Sequence, residues 1–285
     1  MRMPSPETAA ASPVNLAPQI APLAHDRGRP ELRDELRHAL AREQLTVAFQ
    51  PRVCLTTRRV VGAEALARWP HRRLGMIAPR NFIPVAEQSG LINVLGGWVL
   101  RAACCEAARW PDGLCISVNV SARQLADGVV RDQVRDALEE SGLAPERLEI
   151  ELTESMLVDA SIETLLTLSS IRDLGVGVAL DDFGTGYAGL ATIKRLPLTA
   201  LKLDRMFVRG VLRRNEDTAI ARAVISFGIA LGLSMVAEGI EWEAQCRFLN
   251  ALGCHQGQSF LLGRPIPPEQ FRQLAESQKL VKGHE

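Results

Sequence analysis

Short runs of alternating apolar and polar residues recur along the chain, and longer segments with helical spacing separate them. VVRDQVRDALEESG repeats apolar residues at helical spacing and ends at Gly142, while SIETLLTLSSIRDLG begins at a capping Ser161 and ends at Gly175. The β-rich runs are eight in number: LTVAFQP, RVVGAEALARW, CISVNVS, LEIELTES, GVGVALDDF, ALKLD, SMVAEGI and HQGQSFLL. Strands that alternate with helices in this way predict an α/β fold.

Eight strands within about 250 residues favour a TIM-type (β/α)8 barrel. An open doubly wound sheet would alternate in the same way, but no G-x-G-x-x-G follows the first strand. Residues 1–30 hold six of the sixteen prolines and show no apolar periodicity, so they predict a disordered Pro/Ala-rich leader. The folded domain is expected over residues 31–280.

The predicted strands carry polar residues on one face, which is unusual for strands buried on both sides. Leu148, Ile150 and Leu152 share one face of LEIELTES, while Glu149 and Glu151 share the other, because side chains alternate along a strand. If the apolar faces pack under the helices, the polar faces point into the barrel. The polar residues crowd the C-terminal halves of the strands, where such barrels build active sites: Glu64, Asn119, Glu151, Asp181, Asp182, Lys202, Glu238 and Gln258.

Carboxylates that meet in one barrel mouth repel each other and need a shared counter-charge. The six cysteines form no C-x-x-C pair and the five histidines are scattered, so a bound metal would rely on oxygen ligands, as Mg²⁺ or Mn²⁺ does. Adjacent Asp181 and Asp182 can hold two metals that activate water for phosphoryl hydrolysis. A lone Asp-Asp pair more often begins a helix, but the glycines of DDFGTGY favour a tight loop near a ligand.

The overall charge excludes one class of partner. Lys and Arg number 33, as do Asp and Glu, so the chain lacks the basic excess that binds long nucleic acid or an anionic membrane. The longest apolar stretch, AVISFGIALGLSMVA, is too short and too glycine-interrupted to span a bilayer. Prolines interrupt the N-terminus, so no signal peptide is expected and a cytoplasmic location is the default prediction.

Taken together, the motifs resemble the EAL-domain family of cyclic di-GMP phosphodiesterases. The resemblance runs from about residue 50 to residue 265, in the order FQP, EALARW, PRNFIPVAEQSGLI, SVNVSARQL, LEIELTES, DDFGTGYAGL, ALKLDRMFV, MVAEGIEWEAQ and GRP. It implies a barrel whose first strand is antiparallel to the others. It also implies hydrolysis of cyclic di-GMP to linear pGpG, which lowers a second messenger that controls biofilm formation and motility.

The resemblance also implies roles for individual residues. It implies two divalent cations, Mg²⁺ or Mn²⁺, held by Glu64, Asn119, Glu151, Asp181, Asp182 and Glu238. Lys202, Glu238 and Glu64 are the implied catalytic residues, with the metals ranked above Glu238 as activators of water. Glu154 is the implied anchor of the DDFGTGY loop, although an ordinary helix cap explains it nearly as well. Substrate contacts are implied for Gln50, Leu66, Arg68, Asp204, Glu241 and Gln258.

The QGQ segment leaves a choice of register. Gln256 superficially fits the family's Q-G pair, but counting back from Arg264 and Pro265 aligns Gln258 with the motif glutamine and places Ser259 where the family has glycine. We expect Gln258 to be the functional residue. A further departure is Arg52, which replaces an aliphatic residue.

Two other functions remain open at this point. A degenerate family member would bind cyclic di-GMP without cleaving it, although such members typically lose acids that are all present here. An α/β-barrel phosphoesterase for another substrate is the third. The family suggests a homodimer, and a separate sensor or regulatory protein could supply the input.

Overall fold

The computed structural model describes residues 29–157, 161–184 and 190–280. Its strands are β1 (Thr46–Cys54), β2 (Val60–His71), β3 (Gly75–Ile77), β4 (Cys115–Asn119), β5 (Leu148–Thr153), β6 (Gly177–Phe183), β7 (Ala200–Leu203), β8 (Ser234–Glu238) and β9 (Gln256–Gln258). Its helices are α1 (Arg29–Ala41), α2 (Pro79–Ser89), α3 (Ile92–Ala107), α4 (Ala122–Ala126), α5 (Val130–Ser141), α6 (Ile162–Asp173), α7 (Leu190–Ile193), α8 (Arg205–Gly210), α9 (Asn215–Ala230), α10 (Glu243–Ala251) and α11 (Pro268–Leu280).

Eight strands close into a barrel, which confirms the predicted fold. β2 and β4 to β9 run parallel around it, and β1 closes the ring between β2 and β9 with antiparallel pairing on both sides. The antiparallel first strand is therefore as expected. The ninth strand, β3, lies outside the barrel and forms a short hairpin with β2 that the sequence did not predict. The last predicted run, HQGQSFLL, is strand only over Gln256–Gln258.

The helices cover the apolar outer faces of the strands. Ile116, Val118, Ile150 and Leu152 are fully buried there, as the alternating pattern predicted. Beside β1, Phe49, Trp110 and Phe271 form an aromatic cluster: the ring centroids of Phe49 and Trp110 are 5.3 Å apart, and those of Trp110 and Phe271 are 4.4 Å apart. This cluster fixes α11 against the antiparallel strand. The interior of the barrel is thereby left to the polar faces.

The predicted helix ends are found. Ser161 Oγ accepts a hydrogen bond from Thr164 N at 3.2 Å and caps α6, and α5 ends at Gly142 with a φ of 67°. The predicted leader lies outside the described residues except for Arg29 and Pro30, which belong to α1. Within the described part of the chain, every helix is too short or too polar to cross a bilayer.

Candidate active site

Lys202 lies at the centre of the barrel mouth and contacts four carboxylates. Its Nζ is 2.8 Å from Glu151 Oε2, 2.8 Å from Glu238 Oε1, 3.1 Å from Asp181 Oδ2 and 3.9 Å from Glu64 Oε2. The side chain is only 1% exposed. Because these acids come from β2, β5, β6 and β8, the strand alternation brings distant parts of the sequence to one point, as expected.

Glu64 is held by two amide side chains. Asn119 Nδ2 donates to Glu64 Oε1 at 2.6 Å, and Gln258 Nε2 donates to Glu64 Oε2. Gln258 pairs in register with Glu238 at the mouth, whereas Gln256 pairs with Val236 deeper in the sheet and donates to Ser234 Oγ. The structure therefore places Gln258, and not Gln256, beside the acids.

A backbone irregularity turns two adjacent carboxylates toward the same mouth. The pairing of β6 with β7 shifts register between Leu180 and Phe183, and Asp182 has a φ of 54°, in the left-handed region. Carboxylate oxygens of Asp181, Asp182 and Glu238 consequently lie within 4.8 Å of one another. In a regular strand Asp182 would point away from Asp181. The bulge thus creates a three-carboxylate group suited to a cation.

Burial and mutual repulsion shift the acidity of this group. Burial raises the pKa of Glu238 to about 7; repulsion from Asp181 and Glu64 adds to the shift and Lys202 opposes it. Burial and the neighbouring Asp181 raise the pKa of Asp182 to about 6. Burial raises the pKa of Glu151 well above its ordinary value. Burial acts against the charge of Lys202, but the surrounding carboxylates outweigh it and raise the lysine pKa well above its usual range.

Two cavities of similar size flank the acids. The first, the Glu241 cavity, has a volume of ≈ 420 Å³ and is lined by Gln50, Arg205, Arg209, Glu241 and Phe260 among others. The second, the Leu66 cavity of ≈ 430 Å³, is lined by Leu66, Ile83, Glu87, Asn119, Ser121 and Met156 among others. Both volumes fall in the range of small-molecule sites.

The remaining predicted residues lie at the edge of this region. Gln50 lines the Glu241 cavity and donates to Gly263 O at 3.3 Å, and Arg68 lies half-buried near the end of β2. Asp204 caps α8 by accepting from Met206 N at 2.7 Å and also hydrogen-bonds Asp182. Glu154 is buried, and its Oε2 accepts from Gly184 N at 2.8 Å. Most of the DDFGTGY loop, residues 185–189, lies outside the described residues.

Comparison with known sequences decides the family. The sequence model of the EAL domain matches residues 33–265. The chain belongs to the EAL-domain family. Its EAL domain contains the barrel and every site residue named above.

Relatives of known name share this domain. The chain is 44% identical over 245 residues to the bifunctional diguanylate cyclase/cyclic di-GMP phosphodiesterase MucR of Pseudomonas aeruginosa, covering 85% of this chain and 36% of MucR. It is 41% identical over 241 residues to the cyclic di-GMP phosphodiesterase NbdA of the same organism, covering 83% of this chain and 31% of NbdA. The chain thus spans about a third of the length of the curated relatives it matches.

Solved structures match the EAL domain in fold. The MucR phosphodiesterase in complex with c-di-GMP has a TM-score of 0.80 and 44% identity, covering 85% of this chain and 99% of that chain. The EAL enzyme Bd1971, with cAMP and cyclic di-GMP bound, has a TM-score of 0.81 and 27% identity, covering 87% of this chain and 69% of that chain.

The donor set of the EAL domain fits hard divalent cations. Glu151 Oε1 and Gln258 Oε1 are buried oxygens without a hydrogen-bond partner among the described residues. An unpartnered buried oxygen is costly, and a coordinated cation satisfies it. Carboxylate and amide oxygens are the ligands that Mg²⁺ and Mn²⁺ prefer. The acid cluster is therefore able to bind metal.

Two features of the site were missed at the level of sequence. Arg209 pairs with Glu241, its Nε lying 3.0 Å from Glu241 Oε1, and Arg205 lines the same cavity. Their spacing of four along ALKLDRMFVR was the available signal, because it puts both on one face of α8. The other missed feature is a buried ion pair between Arg52 and Glu149.

Proposed function

We propose that the EAL domain hydrolyses one phosphodiester of cyclic di-GMP to linear pGpG with divalent cations. The observation that carries this proposal is the ring of carboxylates around Lys202, which opens to the Glu241 cavity and in which Glu151 Oε1 has no hydrogen-bond partner among the described residues. The named activity of MucR and NbdA supports it, as does the c-di-GMP complex of the MucR phosphodiesterase.

The candidate ligands form two groups, one for each of two cations. Asp181 belongs to both groups, since it contacts Lys202 on one side and lies beside Asp182 on the other. Bound Mg²⁺ or Mn²⁺ would supply a Lewis acid that activates the attacking water and neutralises charge on the phosphate. The first group is Glu64, Asn119, Glu151 and Asp181, and the second is Asp181, Asp182 and Glu238.

The protein side chains orient the reaction and handle its protons. The oxygen of water attacks phosphorus, the bond from phosphorus to the ribose 3′ oxygen breaks, and that oxygen takes up a proton. Glu238 Oε1 lies 2.8 Å from Lys202 Nζ, so these two side chains are placed to hold and pass protons at the mouth. The ammonium of Lys202 is positioned to orient water and to stabilise negative charge that develops at the mouth.

The two cavities accommodate the two halves of the dinucleotide. Glu241, at the rim of the Glu241 cavity, can accept hydrogen bonds from a guanine edge, and Gln50 lies on the same wall. Leu66 offers an apolar contact in the Leu66 cavity. The planar guanidinium of Arg68, at the end of the same strand, suits a phosphate oxygen pair. Asp204 hydrogen-bonds Asp182, so its role is to hold this ligand of the second cation group in place and not to contact a guanine base.

Incubation of the protein with cyclic di-GMP and Mg²⁺ or Mn²⁺ tests the proposal, with pGpG detected by chromatography. We expect metal-dependent product, and we expect it to disappear in Glu64→Ala and in Asp181→Ala while circular dichroism stays unchanged. Binding without pGpG would establish a receptor for the dinucleotide. If cyclic di-GMP neither binds nor reacts, the substrate is a different phosphoester.

Other properties of the protein stay predictions. A homodimer is tested by light scattering at several concentrations. A separate sensor or regulatory protein and a cytoplasmic location also stay predictions, because the fold tests neither.

A further inference from the structure

A second ion pair lies inside the barrel, one layer below the acid cluster. Arg52 Nη1 is 2.6 Å from Glu149 Oε1, and the two side chains are 6% and 12% exposed. Glu149 lies two residues before Glu151 on β5, so both point inward. Because β1 is antiparallel, Arg52, two residues after Gln50, also lies below the mouth. The sequence distance between the partners is 97 residues.

The barrel leaves room for this pair. Gly62 is the register partner of Arg52 and Gly177 is that of Glu149. A Cβ atom on Gly62 would approach the backbone oxygen of Cys115, and one on Gly177 would lie 3.3 Å from Glu149 Cγ. Both positions therefore exclude larger side chains without displacement of their neighbours. The interior below the mouth is occupied by the ion pair instead.

Arg52 has a second carboxylate within its electrostatic reach. Burial opposes the charge of Arg52, but the Glu149 carboxylate and then the Glu151 carboxylate raise the pKa of its guanidinium. Arg52 Nε and Glu151 Oε1 are both buried without a hydrogen-bond partner among the described residues. A guanidinium carries five donors and binds carboxylates strongly, so Arg52 has spare donors for Glu151 if Glu149 no longer holds it.

We propose that Glu149 is a positioning residue of the metal centre: it holds the guanidinium of Arg52 below the acid cluster, so that Glu151 keeps one oxygen free for a cation. Without Glu149, Arg52 would turn to Glu151 and occupy the oxygen that the cation needs. This inference rests on the proposed role of Glu151 as a metal ligand.

A purely structural pair would behave differently. It would contribute to folding only, and breaking it from either side would lower stability without a specific effect on metal binding. The proposed role instead makes metal affinity depend on which partner is removed. Loss of Glu149 frees a guanidinium that blocks Glu151, whereas loss of both partners removes the blocking group as well.

Mn²⁺ binding to the full chain, measured by calorimetry without substrate, tests this difference. In Glu149→Gln we expect Mn²⁺ affinity to fall about ten-fold or more, as for other groups that orient metal ligands. The double variant Arg52→Gln with Glu149→Gln should return the affinity to within about three-fold of the unaltered protein, a span below one kcal/mol. Arg52→Gln alone should not weaken Mn²⁺ binding, and it keeps the test readable should Glu149→Gln fold poorly.

Glu106→Gln is the matched control, because it weakens a partly buried ion pair with Arg272 outside the barrel interior. It should lower the unfolding temperature and leave Mn²⁺ affinity unchanged. An Arg52→Gln variant with affinity reduced as in Glu149→Gln, or a double variant without recovery, would overturn the inference and leave the proposed hydrolysis intact. If the unaltered protein binds no Mn²⁺, both the metal centre and this inference fail.

Discussion

A fully buried ammonium needs partners, and Lys202 has an excess of them. Three carboxylate oxygens lie within 3.1 Å of its Nζ, and Glu64 lies at 3.9 Å. Removing one partner of a buried ion pair usually destabilises a protein strongly, because the charge that remains has no compensation. Lys202 is therefore both the candidate group that orients water and the counter-charge that lets the acids fold together.

Lys202→Met should affect both roles. We expect turnover of cyclic di-GMP to fall at least ~100-fold, in the range for loss of a proton-handling group. In EDTA, the free energy of unfolding should fall by about 3–5 kcal/mol, because the acids lose their shared partner. Urea unfolding with and without Mn²⁺ measures this, and added Mn²⁺ should recover part of the loss. Exposed Lys194→Met is the control and should lie within about 0.5 kcal/mol of the unaltered protein.

Gln258 and Gln256 provide an internal comparison. Gln258 donates to Glu64 at the mouth, so Gln258→Ala frees a candidate metal ligand and should lower turnover about ten-fold or more. Gln256→Ala, below the mouth, should stay within about three-fold, since its contact is to Ser234. Steady-state rates at saturating Mn²⁺ measure both. A larger loss in Gln256→Ala would reverse the assignment.

The sequence predicted the direction of a side chain where this follows from the alternation along its own strand. It did not predict contacts that depend on a partner far away in the sequence. The inward positions of Glu151 and Lys202 follow from their apolar neighbours. The partner of Arg52 lies on a non-adjacent strand, so its pairing depends on barrel closure and on an antiparallel β1. In the sequence, Arg52 was only an unusual residue.

At the scale of elements, the end of β6 sets the geometry of the second cation group. The bulge and the positive φ of Asp182 are stabilised by local contacts, because Asp182 N donates to Asp181 Oδ1 at 2.8 Å and Gly184 N donates to Glu154. A residue in this backbone region is held by its surroundings. Glu154 is thus placed to fix the strand end from which the DDFGTGY loop departs.

Glu154→Ala should disturb the site more than the fold. With the acceptor for Gly184 N gone, the β6 end loses a fixed position, and we expect turnover and Mn²⁺ affinity to fall about ten-fold or more. Ser161→Ala removes the cap of α6 and should lower the free energy of unfolding by about 1 kcal/mol with turnover unchanged. Equal effects of the two variants on turnover would contradict the anchoring role.

The elements themselves were largely predictable, with exceptions that have physical reasons. All eight barrel strands and the ends of α5 and α6 follow from periodicity and capping residues. Strand β3 of the outer hairpin has only three residues, which are too few for a periodic signal. The last run ends as strand at Gln258 because the chain turns there, where Ser259 O accepts from Gly263 N at 2.9 Å.

For the whole molecule, a net charge of zero conceals an uneven distribution. Among the described residues, six carboxylates surround the two basic side chains Arg52 and Lys202 in the barrel, which leaves a formal charge of −4 if all eight groups are ionised. Two divalent cations carry the opposite charge. The carboxylates are Glu64, Glu149, Glu151, Asp181, Asp182 and Glu238.

This concentration of acids predicts how stability depends on pH. Folding raises the pKa of Asp182 to about 6 and that of Glu238 to about 7, in each case mainly through burial. For a carboxyl group with a raised pKa, the stabilising proton is fully bound below the unfolded pKa and is lost as pH rises through the folded pKa. The metal-free protein should therefore lose stability between about pH 4 and pH 7 at these two groups.

Divalent cations should act in the opposite direction, because they bind the deprotonated carboxylates. The rise in unfolding temperature on addition of Mn²⁺ should therefore be larger near pH 8 than near pH 5.5, with calorimetric scans in EDTA as the reference. In Glu238→Gln, the amide resembles the protonated carboxyl group of Glu238 but does not titrate. It should raise the metal-free unfolding temperature at the higher pH, change it little at the lower pH, and reduce the Mn²⁺ effect. A Mn²⁺ effect that is greater at pH 5.5 would contradict this assignment of the charges.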